Sequence, residues 1–170
     1  MRHKVLSAVV TLILASAAFA AVTVTHIRAH GSATDHSNHQ FNFQLSVLHI
    51  DNAGNHRYLG QGSFAWSANG RTQAMRIRTI NSVSVEESAE ARIVTVSGTG
   101  QLGRWGFMPS RYSNNLIQGS FSVTFTDRFD GEDTVQFSFT SGSGLNAFHY
   151  NFSGQIQSGV LNVQQRTLAN

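Results

Sequence analysis

The stretch that decides the fold reads Gly119-Ser-Phe-Ser-Val-Thr-Phe-Thr126, then Asp127-Arg-Phe-Asp-Gly-Glu-Asp133, then Thr134-Val-Gln-Phe-Ser-Phe-Thr140. Apolar residues alternate with serine, threonine or glutamine on both sides of an Asp-Gly pair. A period of two in β-branched and aromatic residues around Asp-Gly predicts a β-hairpin. One face of this hairpin is apolar and the other is rich in hydroxyl groups, so a second layer of sheet must cover the apolar face.

The register of this hairpin follows from which residues must share a face. A two-residue turn at Asp130-Gly131 would pair Phe125 with Gln136, although directly opposed residues lie on the same face. The pattern therefore predicts a loop with an odd number of residues, such as a three-residue turn with Gly131 at a position of positive φ. We expect Phe125 to lie opposite Val135 or Phe137.

Working outward from the hairpin, similar alternating segments recur from Phe41 onwards and are separated by clusters of turn residues. Short strands joined by short connections pair sequentially and antiparallel, which is typical of up-and-down barrels and of sandwiches. Glycines recur inside the predicted strands, for example at Gly60 and Gly62, and indicate bends or close backbone approaches. We therefore predict an all-β fold: a single antiparallel β-barrel or curled β-sandwich of eight to nine strands with mostly meander connections.

The chain divides into three parts. Residues 1–20 combine Arg2 and Lys4, an apolar run and Ala18-Phe-Ala20, which is typical of a secretory signal peptide cleaved after Ala20. The alternative is an uncleaved membrane anchor, because residues 5–24 are nearly long enough to span a bilayer. Residues 21–40 are predicted to form a flexible His-rich leader, and residues 41–166 a single all-β domain. The expected location is secreted, periplasmic or at the cell surface.

Charge and composition limit the function. Without Arg2 and Lys4 the chain keeps ten arginines against nine carboxylates, so its charge is nearly balanced. A nucleic-acid partner is not expected, because such binding needs clustered positive charge. There is no cysteine, hence no disulfide framework and no thiol chemistry. No G-x-S-x-G motif or other linked acid–base pair is found, so a non-enzymatic protein is predicted in preference to an enzyme.

Histidine is unusually concentrated before residue 57. His26, His30, His36 and His39 occur within fourteen residues, together with Asp35. Imidazole and carboxylate are ligands for zinc, copper or nickel, and a flexible tract can wrap around such an ion. The spacing matches no rigid metal-binding signature, so the alternative is a polar leader that is merely rich in histidine. His49 continues the apolar face of a strand and is predicted to be half-buried.

Aromatic residues suggest a binding site. A cavity in the mouth of a curled β-domain is predicted to be lined by aromatic side chains, with the irregular aromatic segment 103–112 as its lid. The candidate ligand-binding residues are Tyr58, Trp66, Trp105, Phe107, Tyr112, Phe148 and Tyr150.

Two functions of different classes follow. The first is a binding protein for a small, partly apolar molecule. The second is a structural or surface protein that self-associates through β-edges, with Ala21-Val-Thr-Val-Thr25 adding as a strand to a neighbouring molecule. Metal binding by residues 21–40 is compatible with either function.

Overall fold

The structure is a computed structural model that describes residues 21–68, 71–104, 117–142 and 147–168. This part of the chain consists of eight β-strands and their connections, and no helix long and apolar enough to cross a membrane is found in it. The strands are β1 (Val22–Thr34), β2 (Gln40–Asn52), β3 (Asn55–Ala68), β4 (Arg71–Glu87), β5 (Ala91–Arg104), β6 (Ile117–Arg128), β7 (Thr134–Ser141) and β8 (Phe148–Leu168).

The strands form a closed barrel in chain order. Each strand pairs antiparallel with the next one, and β8 returns to pair antiparallel with β1. The prediction of an antiparallel barrel with meander connections is therefore confirmed, and the eight strands fall within the predicted range. Closure leaves β1 and β8 with partners where an open sheet would have exposed edges.

Alternation along each strand separates the interior of the barrel from its surface. On β2, Phe41, Phe43 and Leu45 are buried, whereas Asn42 and Gln44 between them are exposed. Inward residues of all eight strands meet in one hydrophobic core, and outward positions carry mainly hydroxyl, amide and charged groups. The period of two in the sequence thus decides which side chains fill the barrel.

The central hairpin has the predicted register but a different loop. Phe125 pairs with Val135, as expected from the shared apolar face. The loop from the Thr126–Thr134 pair spans residues 127–133 and has an odd length, which confirms that part of the prediction. The prediction of positive φ at Gly131 is wrong, because the longer loop closes without a tight bulge at this glycine.

The predicted flexible leader over residues 21–40 is corrected by β1, which fills most of this range. Val22–Thr34 pairs with β2 on one edge and with β8 on the other. Its inward residues include Ile27, Ala29 and Ala33, all buried, while the histidines and Arg28 lie outward. The barrel therefore begins near residue 22 instead of residue 41 and continues to Leu168, beyond the expected end at 166. The predicted signal peptide, residues 1–20, lies outside the described residues.

The ladder between β3 and β4 is incomplete. Pairing joins Ser63–Ala68 of β3 to Arg71–Arg76 of β4, and beyond it the two strands have no paired register. A Cβ atom added to Gly62 would lie 2.6 Å from the main-chain carbonyl oxygen of Gln44 and 2.9 Å from Ile77 Cδ1. The predicted close approach at Gly62 is thus present, and the glycine lies where β3 and β4 begin to separate.

The barrel has two ends, which we call the aromatic end and the histidine end. At the aromatic end lie the β1–β2, β3–β4, β5–β6 and β7–β8 connections, and the interior beneath them is packed with Phe and Trp. At the histidine end lie the β2–β3, β4–β5 and β6–β7 connections, and the inward residues there include His49 and Tyr58.

Candidate functional site

The interior of the aromatic end is a cluster of mutually packed rings. Phe137 of β7 lies at its centre, with ring centroids 5.1 Å from Phe41, 4.8 Å from Phe64 and 5.7 Å from Trp66. Tilted and offset arrangements of this kind add stabilisation beyond burial alone. The cluster forms because short inward rows of aromatic residues on β2, β3, β7 and β8 converge at one level of the barrel.

Two buried polar atoms in this cluster lack hydrogen-bond partners. Trp66 on β3 and Gln73 on β4 are directly opposite each other in the paired part of the two strands. Trp66 Nε1 and Gln73 Oε1 are both buried and have no partner among the described residues. Trp66 as a whole is only 1% exposed. Leaving a buried donor or acceptor unpaired costs about 1–3 kcal/mol, so two such atoms on directly opposed residues require an explanation.

Tyr150 completes one side of the site. Its ring stacks on the Trp66 indole with 4.3 Å between centroids and 11° between planes. Burial, with a smaller contribution from the Asp35 carboxylate, raises the pKa of Tyr150 to about 12. The phenol is therefore neutral at ordinary pH and keeps an O–H donor on the residue whose ring stacks on Trp66. Together the three residues provide an aromatic surface, two donors and one amide oxygen.

The structure brings some of the predicted ligand-binding residues together and separates others. Trp66, Phe148 and Tyr150 all belong to the aromatic end, and Phe148 contacts Phe139 with centroids 6.1 Å apart. Tyr58 lies at the opposite end, near the start of β3. Trp105, Phe107 and Tyr112 lie outside the described residues, in the connection between β5 and β6.

Gln73 is the member of this site that sequence reasoning missed. A single glutamine at the start of a strand carries no signal of its own. The sequence Asn69-Gly70 favours a two-residue hairpin turn. Such a turn fixes the register of the two strands and places Trp66 opposite Gln73. The observed pairing of Ala68 with Arg71 has this register.

A second polar group lies at the histidine end. His49 Nε2 is 3.1 Å from His56 Nδ1, and the His49 ring stacks on Tyr58 with 4.8 Å between centroids. Asp51 Oδ1 is 3.7 Å from His56 Nδ1 and accepts a 2.9 Å hydrogen bond from the Gly54 amide. Burial, and secondly the charge of His56, lower the pKa of His49. His49 is partly buried, as the sequence predicted.

The predicted metal ligands are not gathered at one point. His26 and His30 lie on the outer face of β1, whereas His36 and His39 belong to the connection between β1 and β2. The hydrogen bond from the His39 amide to Asp35 Oδ1, and secondly the contact between His39 Nδ1 and Asp35 Oδ2 at 2.9 Å, lower the pKa of Asp35. Across the described ranges, no group of three or more His, Cys, Asp or Glu side chains is arranged to hold a metal ion.

Comparisons with known proteins give no further guidance. No family model, no curated protein and no solved structure matches this chain. The function therefore has to be argued from the geometry and chemistry of the sites themselves.

Proposed function

We propose that this protein is an exported, non-enzymatic binding protein that holds a small, partly apolar molecule at the aromatic end of the barrel. The observation that carries the proposal is a buried donor, Trp66 Nε1–H, and a buried acceptor, Gln73 Oε1, neither of which has a partner among the described residues. A ligand that accepts one hydrogen bond and donates another would satisfy both atoms. Ligand sites in proteins are mainly apolar pockets with a few such polar groups that fix orientation.

The neighbouring side chains indicate the chemical class of the ligand. The Trp66 and Tyr150 rings stack on each other and Phe137 packs against both, so the groups that surround the two polar atoms are aromatic. Aromatic faces favour a flat, partly unsaturated molecule. Trp66, Gln73 and the protonated Tyr150 phenol carry no formal charge. A neutral molecule with adjacent acceptor and donor atoms, such as a cyclic amide, fits this set of groups.

The location in the cell is part of the same proposal and rests on the sequence of residues 1–20, which has the features of a signal peptide. Self-association through residues 21–25 receives no support from the barrel, because β1 is paired along both edges.

Native mass spectrometry of the protein purified from its own host tests the proposal. We expect a monomer carrying an additional organic mass, which is lost in Gln73→Leu and in Trp66→Phe. The matched control is Gln136→Leu, because Gln136 is exposed on the outer face of β7 and lies outside the site. This control should retain the added mass.

Stability measured on ligand-free protein separates the binding role from a folding role. Gln73→Leu removes a buried acceptor without a partner, so the free energy of unfolding should rise by about 1 kcal/mol while the ligand is lost. A wild-type protein that is always bare, with a water molecule between Trp66 and Gln73, would contradict the proposal. So would an added mass that survives both substitutions.

A further inference from the structure

A basic cleft lies on the outer surface of the barrel, away from the aromatic end. It has a volume of about 680 Å³ and crosses the outer faces of β1 to β4. Its walls carry Arg28 and His30 on one side and Arg76 on the other, and its floor includes Gln44, Gln61 and Ser63. No carboxylate is among the described residues that line it.

The strand register explains this arrangement. His30 pairs with Gln44, Gln44 with Ser63, and Ser63 with Arg76, so these four residues form one row across four strands. The ladder between β3 and β4 ends at this row, and the adjacent residues Gly62 and Ile77 also line the cleft. The two walls are therefore three strand spacings apart, about 14 Å measured along the sheet.

The arginines are positioned for an external anion. Arg28 Nε donates to His26 Nε2 at 3.2 Å, which orients the guanidinium and leaves both terminal nitrogens for a ligand. Neither Arg28 nor Arg76 takes part in an ion pair with a described residue. Guanidinium groups bind carboxylate and sulfate through paired hydrogen bonds, whereas the amide and hydroxyl groups of the floor suit uncharged hydroxyls.

The opposite outer face provides a contrast within the same barrel. There Ser97, Ser122, Ser138 and Asn151 form an equivalent row across β5 to β8, and none of them carries a charge. Positive charge is thus placed beside the point where the β3–β4 ladder ends, although the chain after residue 20 has ten arginines against nine carboxylates.

We propose that the basic cleft binds an anionic polysaccharide whose chain crosses the strands from β1 to β4. A single small anion reaches only one wall, whereas a chain with repeated carboxylate or sulfate groups contacts Arg28 and Arg76 together. The hydroxyl groups of its sugars then meet Gln44, Gln61 and Ser63. A single-stranded nucleic acid fits less well, because sequence-tolerant binding of that kind uses aromatic platforms and the described residues of the lining include no Phe, Tyr or Trp.

Titration calorimetry at low ionic strength with polygalacturonate fragments tests this inference. Arg28→Gln and Arg76→Gln should each weaken binding about tenfold, because each removes a charge-assisted contact and keeps an uncharged polar side chain. The matched control is Arg128→Gln, which removes the same charge at the end of β6 and should bind like the wild type.

Three further measurements decide the class of ligand. Neutral dextran fragments should not bind, and added salt should weaken polygalacturonate binding less steeply in the Arg28→Gln and Arg76→Gln variants. An oligothymidylate that binds as tightly as polygalacturonate would overturn the proposal in favour of nucleic acid. An absence of polygalacturonate binding by the wild type, or an equal loss in Arg128→Gln, would also overturn it. Thermal melting should show that all three variants remain folded.

Discussion

The two ends of the barrel are built from the same eight strands, but their interiors differ in packing and in the titratable groups that they contain. At the aromatic end, Phe137 contacts four other rings and is 2% exposed. At the histidine end, inward residues such as Val85 and Tyr58 are only partly buried, and His49 can take up a proton. In one closed sheet, the tightest side-chain packing therefore lies at the aromatic end, and the partly buried His49 and Tyr58 lie at the histidine end.

The largest expected effect comes from Phe137. Phe137→Ala should lower the free energy of unfolding by about 3–5 kcal/mol, because it removes a fully packed ring and leaves a cavity. Val85→Ala at the histidine end should cost about 1 kcal/mol, because its side chain is only partly buried. Denaturant unfolding of both variants measures the difference. Equal losses of stability in the two variants would mean that packing contributes no more at the aromatic end than at the histidine end.

An intermediate effect is expected at alkaline pH and belongs to the aromatic end. Burial raises the pKa of Tyr150 from 10.0 to about 12, so the unfolded chain loses this proton first as the pH rises. Stability should therefore fall between pH 10 and pH 12, by about 1 kcal/mol because the ring is only half-buried and solvent screens the effect. Unfolding measured across this range should lose that decrease in Tyr150→Phe. An unchanged profile in the variant would mean that another group causes it.

The smallest effect is expected at acid pH and belongs to the histidine end. The pKa of His49 lies below its ordinary value of 6.5, so the unfolded chain takes up this proton first as the pH falls. Stability should therefore decrease as the pH drops through 6.5, with a slope well under the one-proton limit of about 1.4 kcal/mol per pH unit. His49→Phe keeps a ring against Tyr58 and should reduce the slope.

The two titration variants control each other. Tyr150→Phe should leave the acid side of the stability profile unchanged, and His49→Phe should leave the alkaline side unchanged. A variant that alters both sides would show that the two ends are coupled through the core between them.

Local patterns were enough to predict the barrel class and the register of β6 and β7. The hairpin was predictable because its two apolar rows must share a face, which leaves only odd loops. β1 was missed for the opposite reason. Its inward residues Ala29, Gly31 and Ala33 are small, so their alternation with histidine and arginine gave little hydrophobic signal. The sheet supplies the missing stabilisation by pairing β1 on both edges.

The candidate site was predictable only in part. Trp66, Phe148 and Tyr150 could be identified as aromatic residues on strands, but the unpaired state of Trp66 Nε1 depends on three-dimensional packing. The basic cleft depends on a longer chain of registers, from His30 through Gln44 and Ser63 to Arg76. The sequence separates these residues by up to forty-six positions, and no local pattern connects them.

The pairing of β1 with β8 also affects how the chain folds. Val22 pairs with Leu168, so the contact that closes the barrel joins residues at the two extremes of the described chain. Such long-range contacts slow folding, because a large loop must close before they form. Until β8 arrives, one edge of β1 is open and exposes its Val-Thr-Val-Thr start to other chains. Pairing with β8, the last of the described strands, therefore protects β1 from aggregation.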